Sequence, residues 1–244
     1  MIVAQELKKH FGAVKAVDGV SFEIADGKIT GLLGPNGSGK TTTLRMLYTL
    51  LQPDSGEVLV DGVDAWQQPL QAKAAMGVVP DARGLYPRLS AWENIVYFGE
   101  LQGMTGAALS RRIDELAEEL EMQDFLHRPC EGFSQGQRAK VAIARAFVGN
   151  PQNLLLDEPG NGLDVMSIRA LRRYLLRQKA QGKAVLLSTH IMQEVTALCD
   201  EVVVIANGVI KARGTPEALM RQAGSSNIED AFVTLIGTEE GIMA

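Results

Sequence analysis

Residue types that bind phosphate are concentrated in the stretch from Gly34 to Thr42, which reads Gly-Pro-Asn-Gly-Ser-Gly-Lys-Thr-Thr. Glycines at positions 34 and 39, followed directly by Lys40 and Thr41, satisfy the pattern G-x-x-x-x-G-K-[ST]. In such a loop successive backbone N–H groups point into one concavity, and the N-terminus of the following helix adds to their attraction for an anion. The alternative is a glycine-rich turn that carries a surface lysine.

The flanking residues favour the phosphate loop over the simple turn. The apolar run Ile29 to Leu33 has the length of a short buried strand, and Leu44, Leu47 and Leu51 recur at helical spacing. Strand, glycine loop and helix are the context that the pattern requires. We therefore expect the lysine to reach the outer phosphates of a nucleotide and Thr41 to bind magnesium. The phosphate-binding candidates are Gly34, Pro35, Asn36, Gly37, Ser38, Gly39, Lys40, Thr41 and Thr42.

Two adjacent carboxylates, Asp157 and Glu158, follow the apolar run Leu154 to Leu156. Carboxylates at the end of a buried strand are costly to desolvate unless a cation, or a water to be activated, lies beside them. Because the chain also carries a phosphate loop, magnesium is the expected cation, and Asp157 is its expected ligand, directly or through water. Glu158 is the candidate general base or orienting group for the attacking water. The alternative for Glu158 is a surface acid at a strand end.

A histidine follows another predicted strand. The strand is Ala184 to Ser188, and His190 lies just past its carboxyl end. A single histidine is usually a packed or capping residue. In open parallel sheets, however, ligands bind outside the carboxyl ends of the strands, where Asp157 is also expected. His190 is therefore a candidate donor to a terminal phosphate, whereas His10 and His127 have no such placement.

Two further features could contribute to a nucleotide site. Ser134 and Gln137 fit a capping box at the start of an apolar-striped helix, and taken alone they mark only a helix start. Phe11 lies at the end of a turn between two predicted strands. Most such aromatic residues only pack, but one beside a nucleotide could stack on the base.

The composition is that of an ordinary globular protein. The chain has 244 residues, of which 46% are hydrophobic, and a net charge of -5. That charge argues against a nucleic-acid partner, because phosphate contacts need clustered lysine and arginine. Cys130 and Cys199 form neither a disulfide framework nor a metal spacing, so we expect buried thiols. No apolar run is long enough to cross a bilayer, and we expect the chain to stay in the cytosol.

Hydrophobic patterning predicts an α/β fold. The predicted strands are residues 1–7, 17–24, 29–33, 57–61, 75–79, 154–156, 184–188, 202–206 and 209–212. Helical patterns prevail from Ser90 to about Phe125, where Ser90 and Glu93 form a capping box and an acidic second helix ends near Gln123. Short helices are predicted after Thr215 and over residues 227–236.

Taken in chain order, these features resemble the ATP-binding subunit of an ABC transporter. The segments that carry the resemblance are the phosphate loop, Phe133 to Gln137, Leu154 to Glu158, Gly162 to Asp164, and His190. The resemblance implies a P-loop NTPase fold, with a mixed sheet flanked by helices, an antiparallel β subdomain and a helical subdomain inserted at about residues 88–150. Residues 1–220 would be the ABC ATP-binding domain and residues 221–244 a C-terminal extension.

The resemblance also implies a composite active site for ATP and Mg²⁺, shared by two subunits that sit head to tail. Ser134, Gly136 and Gln137 of one subunit would contact the ATP held by the phosphate loop of the other, and Asp164 would couple the two halves. A helix start with free N–H groups agrees with this role, because it attracts an anion. Phe11 matches the aromatic residue that stacks on adenine.

Two positions depart from the family pattern. Asp81 stands where a glutamine is usual, and a carboxylate can offer oxygen to magnesium but cannot donate a hydrogen bond. Asp81 thus joins Thr41 and Asp157 as a predicted metal ligand. Gln135 replaces the first glycine of the usual signature pair and adds a side chain close to the expected position of the partner's nucleotide.

Three phrases narrow the resemblance further. Residues 84–90, 161–167 and 190–195 look like the NatA-type ATPase of bacterial sodium-extruding ABC exporters. This implies ATP hydrolysis that energises export, with sodium as the candidate substrate, by a peripheral subunit on the cytoplasmic face of the membrane. The implied partners are a membrane-spanning permease and a second ATP-binding subunit, identical or different. We expect the segment Tyr86 to Tyr97, which includes Trp92, to receive a helix of the permease.

Three other functions stay in view. A soluble ABC ATPase that acts on ribosomes or nucleic acid usually carries two cassettes or a long coiled-coil insertion, and this chain has neither. A nucleotide-binding regulator with little turnover is disfavoured by the intact Glu158 and His190. An exporter ATPase for another substrate is the third.

Overall fold

The computed structural model describes residues 1–81 and 84–237, which form two sheets with helices around them. The strands are β1 (Ile2–Phe11), β2 (Val14–Ile24), β3 (Ile29–Leu33), β4 (Ser55–Val60), β5 (Val63–Asp64), β6 (Met76–Val79), β7 (Asn153–Asp157), β8 (Ala184–Thr189), β9 (Glu201–Ala206) and β10 (Val209–Gly214). The helices are α1 (Lys40–Leu47), α2 (Pro69–Ala74), α3 (Ala91–Leu101), α4 (Gly106–Glu119), α5 (Gln135–Phe147), α6 (Val165–Ala180), α7 (Met192–Leu198), α8 (Pro216–Ala223) and α9 (Ile228–Ile236).

The larger sheet is mixed and has the strand order β10-β9-β3-β8-β7-β6. Its strands β9, β3, β8, β7 and β6 run parallel, and β10 pairs antiparallel with β9. Every residue of β3, β7 and β8 is buried, as the continuous apolar runs of a parallel sheet covered on both faces require. Because these strands run parallel, the segments that follow β3, β6, β7 and β8 meet at one edge of the sheet.

The smaller sheet is antiparallel and has the order β2-β1-β4-β5. It confirms the predicted antiparallel β subdomain, but β1 continues to Phe11 and β2 begins at Val14, so both strands are longer than the sequence indicated. A bulge between Ala4 and Leu7, where Glu6 takes a φ of 48°, interrupts the alternation of buried and exposed residues. Because the bulge breaks the two-residue alternation, the sequence pattern did not reveal the second half of β1.

The predicted helical region is present between β6 and β7. Capping boxes at Ser90 and Ser134 open α3 and α5, as the sequence indicated. Helix α4 ends at Glu119, earlier than predicted, and Glu121 takes a left-handed φ of 55°. Similarly, α1 ends at Leu47, so the predicted inclusion of Leu51 in that helix was wrong. The short elements β5 and α2 and the long helix α6 were not predicted.

The chain after β10 folds back as two helices. Thr215 caps α8, and α9 follows the predicted range, so both predicted C-terminal helices are confirmed. Helix α9 packs against β9 and α7, with the side chain of Ile228 buried. Part of the proposed C-terminal extension, residues 238–244, lies outside the described residues, and the domain boundary at residue 220 stays a prediction.

Candidate active site

The glycine loop leads from β3 into α1, the arrangement that the sequence predicted. Gly39 ends the loop with a φ of 107°, and a Cβ there would lie 2.4 Å from the carbonyl oxygen of Ala16. A side chain would therefore be excluded by backbone conformation and by space alike. The Ser38 amide donates to the carbonyl of Pro35 at 3.2 Å, which closes the turn. The loop thus wraps tightly around the N-terminus of α1.

Lys40 is a buried cation at the centre of the loop. Its side chain is only 5% exposed, and its Nζ donates to the carbonyl oxygens of Gly34 at 2.7 Å and Pro35 at 3.2 Å. Burial lowers the pKa of Lys40, while the negative charges of Glu158 and Asp157 raise it. A buried ammonium group held by two neutral carbonyls is suited to an added phosphate.

Asp157 is the last residue of β7, and its carboxylate is also buried. Ser188, its register partner on β8, donates through Oγ to Asp157 Oδ1 at 2.6 Å. Burial raises the pKa of Asp157, and hydrogen bonds from Ser188 and Thr41 oppose this shift. The nearby charge of Asp81 raises it further. Hydroxyl groups therefore surround a desolvated carboxylate, and this oxygen-rich environment fits a magnesium ion.

Glu158 directly follows β7 and contacts His190. Its backbone takes a left-handed φ of 47°, and its amide donates to Ser188 Oγ at 2.9 Å. Its side chain lies between a lysine and a histidine, with Oε1 3.6 Å from Lys40 Nζ and Oε2 3.0 Å from His190 Nδ1. Such left-handed strain at a non-glycine residue is often found at functional sites. The structure therefore brings Lys40, Asp157, Glu158 and His190 together.

A cavity of about 410 Å³ lies over the phosphate loop. It is lined by Val14, Lys15, Ala16, Asn36, Gly37, Gly39, Lys40, Thr41, Thr42, Glu158, Asn207 and Gly208. The β9–β10 hairpin closes one side, because Gly208 donates to the carbonyl of Ser38 at 3.0 Å and accepts from Asp18 at 2.8 Å. Lys15 and Asn207 are site residues that the sequence reasoning missed. The sequence predicted strands on both sides of Asn207 and Gly208, but not that the turn between them folds back onto the loop.

Phe11 is half exposed at the end of β1. It does not line the cavity, but it pairs with Val14, which does. Its ring centroid lies 5.9 Å from Lys9 Nζ. Phe11 is thus placed beside the nucleotide cavity, and its stacking on adenine stays a prediction.

The second predicted cluster lies apart from the phosphate loop within one chain. Ser134 is exposed at the start of α5 and accepts from the Gln137 amide at 3.2 Å, while the Gln137 side chain accepts from the Ser134 amide at 3.0 Å. Gly136 packs against Ser167, whose amide donates to Asp164 Oδ1 at 2.7 Å. These residues do not line the 410 Å³ cavity. One chain therefore holds two separate candidate clusters, one at the phosphate loop and one at a helix start.

The two departures from the family pattern face one cleft of about 680 Å³. Asp81 and Gln135 both line it, together with Asn161 and Gly162. Gln135 Oε1 lies where a side chain at Gly162 would begin, only 1.9 Å from the position of a Cβ there. The Gln135 side chain thus packs against the turn at Gly162 of the same chain.

In residues 1–81 and 84–237, no group of three or more His, Cys, Asp or Glu side chains forms a metal site by itself. A cation at Asp157 would therefore need further ligands, such as the Thr41 hydroxyl and phosphate oxygens. Within the same ranges, no helix has the length and apolar character needed to span a membrane.

A parallel sheet with a glycine loop at one strand end and a carboxylate pair at another defines the P-loop nucleoside triphosphatases. The ABC transporter family profile matches residues 17–161. The ABC transporter ATP-binding protein NatA of Bacillus subtilis is 42% identical over 231 residues, which are 94% of this chain and 93% of that protein. The Nod factor export ATP-binding protein I of Ralstonia nicotianae is 37% identical over 95% of this chain and 72% of that protein.

Solved structures agree with the sequence comparisons. An ATP-binding subunit of an ABC transporter matches with a TM-score of 0.89 and 30% identity, over 96% of this chain and 99% of the other. A dimeric, post-hydrolysis ATP-binding cassette with bound ADP and phosphate matches with a TM-score of 0.80 and 25% identity, over 88% of this chain and 98% of that one. The chain belongs to the ATP-binding proteins of the ABC transporter family, which hydrolyse ATP.

Proposed function

We propose that this chain is the ATP-hydrolysing subunit of an ABC exporter and that it works on the cytoplasmic face of the membrane. The observation that carries the proposal is the contact of Glu158 with both Lys40 and His190, directly beside the buried Asp157. The likeness to the Nod factor export protein supports export as the direction of transport.

In the proposed mechanism, the loop amides and Lys40 bind the β- and γ-phosphates of ATP. Asp157 and the Thr41 hydroxyl would hold Mg²⁺, and Asp81, whose charge acts on Asp157, would contribute through water. When bound there, the ion would neutralise phosphate charge as it develops in the transition state.

Glu158 orients the attacking water and accepts its proton. The water oxygen forms a bond to the γ-phosphorus, the bond to the bridging oxygen breaks, and its electron pair leaves with ADP. His190, which contacts Glu158 Oε2 through Nδ1, donates to the γ-phosphate in this scheme. The contact also keeps Glu158 oriented.

The site is completed by a second ATP-binding subunit. Within one chain Ser134, Gly136, Gln137 and Asp164 lie outside the phosphate cavity, so they are available to a nucleotide held by another subunit. The capped N-terminus of α5 presents N–H groups that suit the γ-phosphate of that nucleotide. The likeness to a dimeric cassette supports this arrangement.

The permease is proposed to dock beside α3. Tyr86 and Tyr97 are both nearly half exposed, and their rings meet edge to face at 5.5 Å. Tyr97 adjoins Phe98, which lines an adjacent groove of about 380 Å³. Trp92 is only partly exposed, since it packs on the core and on His127, so it contributes less of this surface than the sequence suggested.

Sodium is the candidate substrate, supported by the resemblance of residues 84–90, 161–167 and 190–195 to NatA-type ATPases. The nucleotide site does not touch the transported substrate, so the permease decides this question. The test is to purify tagged Glu158→Gln protein from solubilised native membranes with ATP and Mg²⁺. We expect a multi-spanning membrane protein in stoichiometric amount, whose co-expression with the wild-type chain increases sodium efflux from cells.

Two results would contradict the proposal at different levels. Recovery of ribosomes, nucleic acid or soluble protein alone would contradict the transport role and favour the soluble ATPase. Recovery of a permease whose co-expression leaves sodium efflux unchanged would contradict sodium only, and the exporter would then carry another substrate.

A further inference from the structure

Glu194 is a buried carboxylate on α7 that the proposed mechanism does not use. Its side chain is only 4% exposed. Thr189 Oγ1 donates to Glu194 Oε2 at 2.8 Å, and the amide of Ile191 donates to Thr189 Oγ1 at 3.0 Å. Thr189 and Ile191 are the two neighbours of His190 in the chain. Glu194 therefore anchors the turn that carries the histidine through Thr189, which itself holds the Ile191 amide.

The other oxygen of Glu194 reaches the turn that follows Glu158. Oε1 is buried and has no hydrogen-bond partner in the described part of the chain. A Cβ built on Gly160 would lie 2.1 Å from this oxygen. Gly160 does not take a positive φ, so its lack of a side chain is required by the carboxylate and not by the backbone.

The Gly160 turn connects the proposed general base to the proposed dimer contact. Asn161 donates its amide to the carbonyl of Glu158 at 3.2 Å, and Leu163 donates to the carbonyl of Gly160 at 3.2 Å. Asp164 then caps α6. A carboxylate wedged against Gly160 thus touches the segment between Glu158 and Asp164.

Two of the residues whose charges act on Glu194, His190 and Glu158, belong to the candidate site. Burial raises the pKa of Glu194, and the hydrogen bond from Thr189 and the charges of Arg172 and His190 lower it. The charge of Glu158 raises it again. A leucine would fill this interior at a smaller desolvation cost, so packing alone does not account for a carboxylate here.

We propose that Glu194 is a positioning residue for ATP hydrolysis, which holds the His190 turn against the Gly160 turn. It thereby keeps His190 Nδ1 at 3.0 Å from Glu158 Oε2. The inference rests on the proposed roles of Glu158 and His190.

The test compares Glu194→Ala, Glu194→Gln, Gly160→Ala and the double variant Glu194→Ala/Gly160→Ala. We expect Glu194→Ala to lower kcat about tenfold or more with KM for ATP changed less than about twofold, because misplaced catalytic groups slow the chemical step. Glu194→Gln, which keeps the shape and the acceptor for Thr189, should restore kcat to within about threefold of wild type.

The double variant separates a direct contact from two independent effects. Gly160→Ala alone should lower kcat, since its methyl group displaces the carboxylate. In the Glu194→Ala background the same methyl group has room, so the double variant should be no slower than Glu194→Ala. Additive losses in kcat would contradict a contact between the two turns.

Controls distinguish positioning from loss of fold. Thr196→Ala, at an exposed position of α7, should leave kcat and the unfolding temperature unchanged. A wild-type kcat for Glu194→Ala, or equal losses of ATP binding and kcat, would overturn the proposal. Glu158→Gln and His190→Ala are assayed alongside, because if these two retain hydrolysis the proposed mechanism fails, whatever Glu194 does.

Discussion

At the scale of single residues, the site is defined by two buried charged side chains, each of which can still bind a group of opposite charge. Lys40 donates to two backbone carbonyls, and Asp157 accepts from hydroxyl groups. Each arrangement leaves a buried charge that a phosphate or a cation would compensate. We therefore expect bound MgATP to stabilise the folded chain through contacts that hydrolysis also requires.

Ser188 links the two acidic residues and gives the first prediction. Its Oγ donates to Asp157 and accepts from the Glu158 amide, so Ser188→Ala removes a partner from each. We expect the free energy of unfolding to fall by about 1–3 kcal/mol, because buried polar groups lose their hydrogen bonds. Denaturant unfolding measures this loss. Ser110→Ala, at an exposed position of α4, should change stability by less than about 0.5 kcal/mol. Equal stability of Ser188→Ala and wild type would contradict the role of Ser188.

The sequence predicted the residues with a proposed chemical role better than it predicted the residues that hold them in position. The phosphate loop, Asp157, Glu158 and His190 were found because each follows an apolar run in a recognisable order. Ser188 was read only as part of a strand, since its significance comes from the β7–β8 register that places it opposite Asp157. Lys15 and Glu194 were missed for a similar reason, because only the folded chain brings Lys15 to the phosphate-loop cavity and Glu194 against Gly160.

At the scale of elements, strands with continuous apolar runs were predicted most accurately. β3 has the predicted bounds, and β7 and β8 differ from the prediction by one or two residues at their ends. Predictions failed where a bulge or a left-handed residue changed the period, as in β1 at Glu6 and after α4 at Glu121. Such local changes depend on tertiary packing and leave no periodic signal.

Lys183, which directly precedes β8, gives a prediction about stability and pH. Burial lowers its pKa to about 8 from the usual 10.5, with the charge of Arg112 adding to the shift and Glu119 opposing it. Its Nζ donates to Asn150 Oδ1 near the end of α5. Between these two pKa values the unfolded chain binds more protons than the folded chain, so stability contributed at this position rises with pH.

The measurement is the difference in unfolding free energy between wild type and Lys183→Met. We expect it to shift in favour of wild type by up to about 3 kcal/mol as the pH rises from about 8 to about 10.5. Other titrating groups are common to both proteins and cancel in the difference. A difference that does not change with pH would show that Lys183 titrates normally in the folded chain.

At the scale of the whole molecule, the nucleotide cavity and the surface proposed for the permease are separate. The cavity lies between β2, the phosphate loop and the β9–β10 hairpin, whereas Tyr86 and Tyr97 lie beside the groove that Phe98 lines. Asn94 fixes the Tyr86 segment, since its Nδ2 donates to the carbonyls of Tyr86 at 3.1 Å and Ser90 at 2.9 Å. The surface proposed for the permease is therefore held by contacts at the start of α3 that do not involve the phosphate loop.

This separation predicts that docking and hydrolysis can be removed independently. Replacing Tyr86 and Tyr97 together by serine should abolish co-purification with the membrane protein and leave ATP hydrolysis by the free chain within about twofold of wild type. The control is Leu176→Ser, an exposed apolar residue of α6. Intact membrane assembly of the double tyrosine variant would place the docking surface elsewhere.

The central claim is that Glu158 serves the hydrolytic step while other groups bind ATP. The most direct measurement is the rate of ATP hydrolysis at saturating MgATP by wild type and Glu158→Gln, with ATP affinity measured in parallel. The account predicts a rate lower by about 10²-fold or more and an affinity that is retained, because general-base assistance is lost while the phosphate loop is intact. Hydrolysis by Glu158→Gln at the wild-type rate would contradict it.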